Sequence, residues 1–106
     1  MKAYAIAHLH SVTMGQPIVN YLERIDATLA PYDGRFIVHG GGVELQEGEF
    51  AADVIIIEFP SIEAVRAWYR SDAYQAIIPL RADNSAGPLF LVQGVSADHK
   101  ATDVLG

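Results

Sequence analysis

The chain has no cysteine. Disulfides and thiolate chemistry are therefore excluded, and a metal site would have to be built from His, Asp and Glu. Bases are scarce as well: 7 Lys and Arg stand against 13 Asp and Glu, a formal net charge of -6 at pH 7. Such a surface repels phosphate backbones, and no basic run reverses this locally, so a nucleic-acid partner is not expected. Long apolar runs are missing too. No stretch approaches the length needed to span a membrane, and the apolar opening is cut short by His8 and His10, too early for a signal-peptide core. A cytoplasmic location is the default expectation.

What is present is a sequence able to fold. Hydrophobic residues make up 51% and charged residues 19% of 106 residues, which is the balance of one globular core with no room for a second. Residues 3–10 alternate as a strand, with Tyr4, Ile6, His8 and His10 on one face and Ala3, Ala5, Ala7 and Leu9 on the other. Ile18, Leu22, Ile25 and Leu29 then recur at four, three and four, one stripe of an amphipathic helix over 17–29. Pro17 suits its first turn, and Pro31 with Asp33-Gly34 closes it. Residues 35–39 read as a second strand, bent or bulged at Gly40-Gly41-Gly42 and continued over 43–46, with a turn at Glu47-Gly48-Glu49. Residues 53–59 form the clearest strand. Ser61 caps a second helix carrying Ile62, Val65, Trp68 and Tyr69, and Ser71-Asp72 restarts a shorter helix that Pro79 is expected to bend or end. The last strand covers 88–93.

The order β-α-β-β-α-β is the ferredoxin-like, split β-α-β arrangement: α+β, with a four-stranded antiparallel sheet and both helices on one face. Residues 1–94 are read as this single domain, and 95–106 as a tail or dimer arm. The central strands do not alternate cleanly. Ile55, Ile57 and Phe59 oppose Val54, Ile56 and Glu58, and Leu89 and Leu91 oppose Phe90 and Val92. Both faces need cover, two helices supply one, and a second copy of the sheet supplies the other. A homodimer of the α+β-barrel type is expected.

Three segments carry a family resemblance: Gly34-Arg35-Phe36-Ile37-Val38-His39-Gly40-Gly41, Ile56-Ile57-Glu58-Phe59-Pro60-Ser61, and Ala67-Trp68-Tyr69-Arg70-Ser71-Asp72-Ala73-Tyr74-Gln75. Over residues 3–94 the chain resembles an uncharacterised bacterial family, domain of unknown function thirteen-thirty, of the dimeric α+β-barrel group. The resemblance implies a ferredoxin-like protomer and a barrel-like homodimer. It implies no particular activity, because the same fold serves cofactor-independent monooxygenases, haem-degrading enzymes, muconolactone isomerase-like proteins and stress-response barrels. The family often has arginine in place of His39 and an acid in place of Gln93, which weakens a role tied to His39 alone.

Few residues have the chemistry for a site. His8 and His10 project from one strand face, and His39 on a neighbouring strand would complete a weak candidate metal set; the plainer reading leaves them as a strand end and a polar niche. Glu58 follows three isoleucines, so its carboxylate needs a partner or its pKa rises. Arg35 and His8 are candidate partners, and with His39 these four form the candidate catalytic group for proton transfer. The competing reading, and the favoured one, is a structural Arg35–Glu58 ion pair. Trp68, Tyr69 and Tyr74 can line an aromatic pocket or simply fill the core. Tyr4, Trp68, Tyr69 and Arg81 are the candidate ligand-binding residues, although Arg81, like Arg66 and Arg70, has the spacing of a solvated helix position. The glycine run is no phosphate loop, and no Ser-His-Asp pattern occurs. Three readings remain: a small-molecule binder or acid–base enzyme needing no organic cofactor, a non-catalytic dimeric ligand-binding or stress-related module, and a His-based metal-dependent oxygenase-like protein.

Overall fold

A computed structural model describes residues 1–50 and 53–106. Its centre is β1 (Ala3–Leu9), whose alternation buries Ala3, Ala5, Ala7 and Leu9 and leaves the residues between them half-buried. After β1 come the short β2 (Ser11–Val12), α1 (Gln16–Leu29), β3 (Arg35–His39) and β4 (Asp53–Phe59). They are followed by α2 (Ile62–Arg70), α3 (Asp72–Ala82), β5 (Ser85–Ala86) and β6 (Leu89–Gln93). The main sheet has the order β3-β4-β1-β6 with every neighbouring pair antiparallel. This is the ferredoxin-like arrangement, with the helices on one face. A small ribbon of β2 against β5 stands at the end of β1, where the sequence offered only a loop.

Local chemistry explains the helix boundaries. Ser61 Oγ accepts from Ala64 N at 3.1 Å, and Ser71 Oγ accepts from Tyr74 N at 3.2 Å while donating to Trp68 O at 2.7 Å. One serine thus closes α2 and opens α3. α1 gives way to a 3-10 turn over Ala30–Tyr32, and Asp33 takes a left-handed φ of 56° that ends it. Two expectations need correction. Pro79 does not end α3, which runs on to Ala82. The missing N–H forgoes one helical hydrogen bond, but Tyr74 and Ile77, both buried, anchor the helix against α1 and the sheet. The strand also does not resume over residues 43–46. Gly40, with φ 71°, turns the chain away after a last bond from its N–H to Val54 O at 3.4 Å, and Val43 and Leu45 are exposed. The bulge lies earlier, at Ile37, between the Phe36–Ile57 and Val38–Ile56 pairs.

The core joins Phe59, Val65, Trp68, Tyr74 and Ile77 with Tyr21, Ile25 and Leu29 of α1. Trp68 is fully buried and still satisfied: its Nε1 donates to Thr28 Oγ1 at 3.0 Å, which donates to Ile25 O at 2.7 Å. The face of the sheet away from the helices is different. Register places Tyr4 beside Glu58, Ile6 between Ile56 and Phe90, and Val92 beyond Tyr4. Phe90 is 46% and Val92 40% exposed. The protomer therefore carries an apolar sheet face that its own helices do not reach.

Candidate functional site in a cavity between helices and sheet

The helix side of the sheet is not fully packed. A cavity of about 260 Å³ lies there. Its floor is Ala5, Ala7 and Leu9 of β1 with Phe36, Ile55, Ile57 and Leu89 from the neighbouring strands. Ile18, Tyr21, Leu22 and Ile25 of α1 and Tyr74 and Arg81 of α3 form its roof, and Val12, Met14, His39, Gly40, Asp53 and Ser85 line the remainder. The cause of the space is legible in β1. Alanine occupies three successive helix-facing positions of the central strand, where the β-branched residues usual in strands would project further into the gap.

Polar groups gather where α1 meets α3. The hydroxyls of Tyr21 and Tyr74 are 2.8 Å apart and buried. The Arg81 guanidinium lies 6.0 Å from the centre of the Tyr21 ring, within cation–π reach. Tyr74 and Arg81 are seven residues apart on α3, two helical turns, so both project from one face. Arg81 Nε is buried and has no hydrogen-bond partner among the described residues. Burial pushes the Tyr21 hydroxyl far above the usual tyrosine range, helped by the charge and hydrogen bond of Tyr74, and Arg81 only partly opposes this. For Arg81, burial works against the charge, but Tyr74 and Tyr21 outweigh it and raise its pKa. The Arg81 cation thus sits beside a Tyr21 hydroxyl that keeps its proton. The cluster is a donor site, and Tyr21 is no base.

The residues singled out in the sequence divide between the two faces of the sheet. Glu58, Arg35, His8 and Tyr4 lie on the face away from the cavity. There Glu58 Oε1 accepts from Lys2 Nζ at 2.8 Å and from Arg35 Nη2 and Nε at 3.1 and 3.2 Å. Hydrogen bonding to Lys2 lowers the Glu58 pKa, partial burial opposes it, and Arg35 adds to the lowering. Glu58 therefore has a partner, the Arg35 of the favoured reading joined by Lys2, and two cations hold the carboxylate ionised in place of an upward shift. Lys2 had no place in the sequence reading, because nothing local connects it to a residue 56 positions away. His8 stacks on Phe50 at 4.8 Å and contacts His10 at 4.6 Å.

His39 faces the other way, stacked on Phe36 at 4.3 Å and lining the cavity. The sheet thus separates it from His8 and His10, and no cluster able to hold a metal ion forms among the described residues. Convergence of the three imidazoles is therefore corrected by the strand register. Trp68 and Tyr69 pack edge to face at 6.3 Å in and beside the core, and neither lines the cavity. Arg81 does line it and is not a solvated position. Tyr21 was missed altogether, since the stripe was traced through Leu22, which is 42% exposed although it reaches the cavity. The Tyr21–Ile25 spacing, one turn apart on the buried side, was the signal that could have found it.

Solved structures share this fold. A protein of unknown function from Rhodopseudomonas palustris is 16% identical, with a TM-score of 0.64 over 90% of this chain and 83% of that one. A dimeric ferredoxin-like protein of unknown function from Jannaschia sp. CCS1 is 12% identical, with a TM-score of 0.67 over 89% of this chain and 100% of the other. SnoaB, a cofactor-independent oxygenase from Streptomyces nogalater, is 12% identical, with a TM-score of 0.55 over 93% and 96%. At such identities the likeness is one of fold. No curated protein matches the sequence. The model of one family covers nearly the whole chain, residues 2–95, and the protein belongs to that family, described as Domain of unknown function (DUF1330).

Proposed function

We propose that the protein is a homodimer whose protomers each bind a small molecule in the cavity between helices and sheet. The observation that carries this reading is the combination of an unfilled, mainly apolar space with a few convergent polar groups, Tyr21, Tyr74 and Arg81, at one wall. Binding sites have this composition, whereas a cavity kept only by imperfect packing has no need of a buried cation. The dimer is supported by the apolar outer face of the sheet and by the dimeric state of the Jannaschia protein.

Two versions of the reading differ in chemistry. In the enzymatic version, the substrate is held at the Arg81 end and His39, which lines the same cavity, acts as the base. SnoaB, of the same fold, is an oxygenase without a cofactor. In the alternative version, the protein only holds its ligand, and the Glu58, Arg35 and Lys2 cluster on the outer face stabilises the assembly. Thermal-shift screening of wild type against Ala7→Leu, which puts a side chain into the cavity floor, tests the common part. Compounds that raise the melting temperature of wild type and not of the variant are expected; no such compound from a broad library would sink the reading. His39→Ala then separates the versions, since it abolishes turnover of a bound compound only if the site is catalytic.

A further inference from the structure

The Arg81 end of the cavity has a composition that specifies its ligand further. Two hydroxyls 2.8 Å apart share one hydrogen bond, which uses one of their two protons and leaves the other to be donated outward. Arg81 adds N–H donors, including an Nε–H that is buried and unpartnered among the described residues. No Asp or Glu forms an ion pair with Arg81 among those residues. A half-buried guanidinium beside apolar walls, with no carboxylate paired to it (Asp53, which also lines the cavity, makes no ion pair with it), is an incomplete arrangement, because buried charges are ordinarily paired. The cluster is rich in donors and short of one anion.

We propose that the cavity takes a small apolar carboxylic acid, its carboxylate on Arg81 and the Tyr21–Tyr74 pair and its hydrocarbon part against Ala5, Ala7 and Ile57. The inference rests on the reading of the cavity as a ligand site and adds the class of ligand. A planar guanidinium fork matches the two oxygens of a carboxylate. The space sets the size: 260 Å³ is about nine water volumes at ~30 Å³ each. That accommodates the body of an acid with one or two rings, or a short branched chain.

The test compares 2-naphthoate with its neutral isostere 2-naphthamide by isothermal titration at neutral pH, on wild type and on Arg81→Gln. Wild type is expected to prefer the acid by roughly tenfold or more, the usual effect of a charge-assisted hydrogen bond in a desolvated site. Arg81→Gln should bring the two compounds to about equal affinity by removing that bond. If Arg81→Gln does not fold, the wild-type ratio decides, and Arg81→Lys, which keeps the charge without the fork, should lower that ratio. Equal affinities in wild type, or a preference for the amide, would overturn the carboxylate while leaving the cavity as a site for neutral ligands. Binding of neither compound would overturn the carboxylate, and Ala7→Leu screening would then show whether the site itself stands. A preference for the acid that persists in folded Arg81→Gln would also overturn the assignment, since the charge would then be met elsewhere.

Discussion

Phe90 offers the sharpest test of the dimer. It projects from β6 on the outer face, beside Ile6 of β1, and is 46% exposed in the protomer. Complete burial of a phenylalanine stabilises by ~1.5–3 kcal/mol, so covering the exposed half contributes about 1 kcal/mol. A two-fold axis counts the residue twice. Phe90→Ala should therefore weaken association by ~2 kcal/mol, or about 30-fold in Kd at ~1.4 kcal/mol per tenfold. Phe90→Asp goes further, because it places two carboxylates in a dry interface without partners and adds several kcal/mol of cost. Its effect on the protomer's own folding should be much smaller, since the ring is already half in water. Sedimentation velocity across the micromolar range reads the outcome: dimer for wild type, monomer for folded Phe90→Asp. A wild-type monomer at those concentrations, or an aspartate variant that sediments as a dimer, would refute the reasoning from exposed apolar surface.

Other perturbations probe each face separately. A Cβ on Gly34 would lie 2.6 Å from Phe59 Cε1 and 2.9 Å from Leu29 Cδ2, both on buried side chains. Gly34→Ala should cost ~1–3 kcal/mol of folding stability by overpacking, measured by urea unfolding; a change within error would mean the Phe59 ring yields freely. The Glu58 pKa is lower in the folded protein than its ordinary 4.5. Its contribution is thus fully present above that value and lost as pH falls through the folded pKa. The stability gap between wild type and Glu58→Gln should be widest near neutrality and close in acid; a gap independent of pH would mean the ion pairs contribute nothing. For Tyr21 the shift is upward from 10.0, so above pH 10 the unfolded chain gives up a proton that the folded one keeps. Stability should fall there by about 1.4 kcal/mol per pH unit on this account, and Tyr21→Phe should remove that part of the slope.

Much of the fold was written in local pattern. The alternation of β1, the run from Val54 to Ile57, and the serines at 61 and 71 each act within a few residues, and sheet and helices follow from them. The site was less legible because its parts are non-local. Tyr21 and Tyr74 meet across 53 positions, and only the packing of α1 on α3 brings them together. Hydrophobic spacing also favours Leu22 over Tyr21, although a tyrosine buries its ring as readily and needs only a partner for its hydroxyl. The assumption that Glu58, His8 and His39 would converge failed on parity. His8 and Glu58 share one side of the sheet, while the bulge at Ile37 shifts the register of β3 and leaves His39 opposite Ile55 on the other.

That parity gives β1 two separate tasks. Its odd-numbered alanines leave space beneath the helices, and its even-numbered Tyr4, Ile6 and His8 belong to the face offered to a second copy. Ligand binding and association are then physically separable, because the cavity lies on the helix side of the sheet and the apolar face on the other. A monomer produced by Phe90→Asp should still bind whatever small molecule wild type binds, with affinity changed by no more than a few-fold. Titration of both proteins with the same compound checks this. Loss of binding on dissociation would show that the partner's sheet holds β1 and β4 in the geometry that keeps the cavity open, and the two faces would then have to be treated as one coupled device.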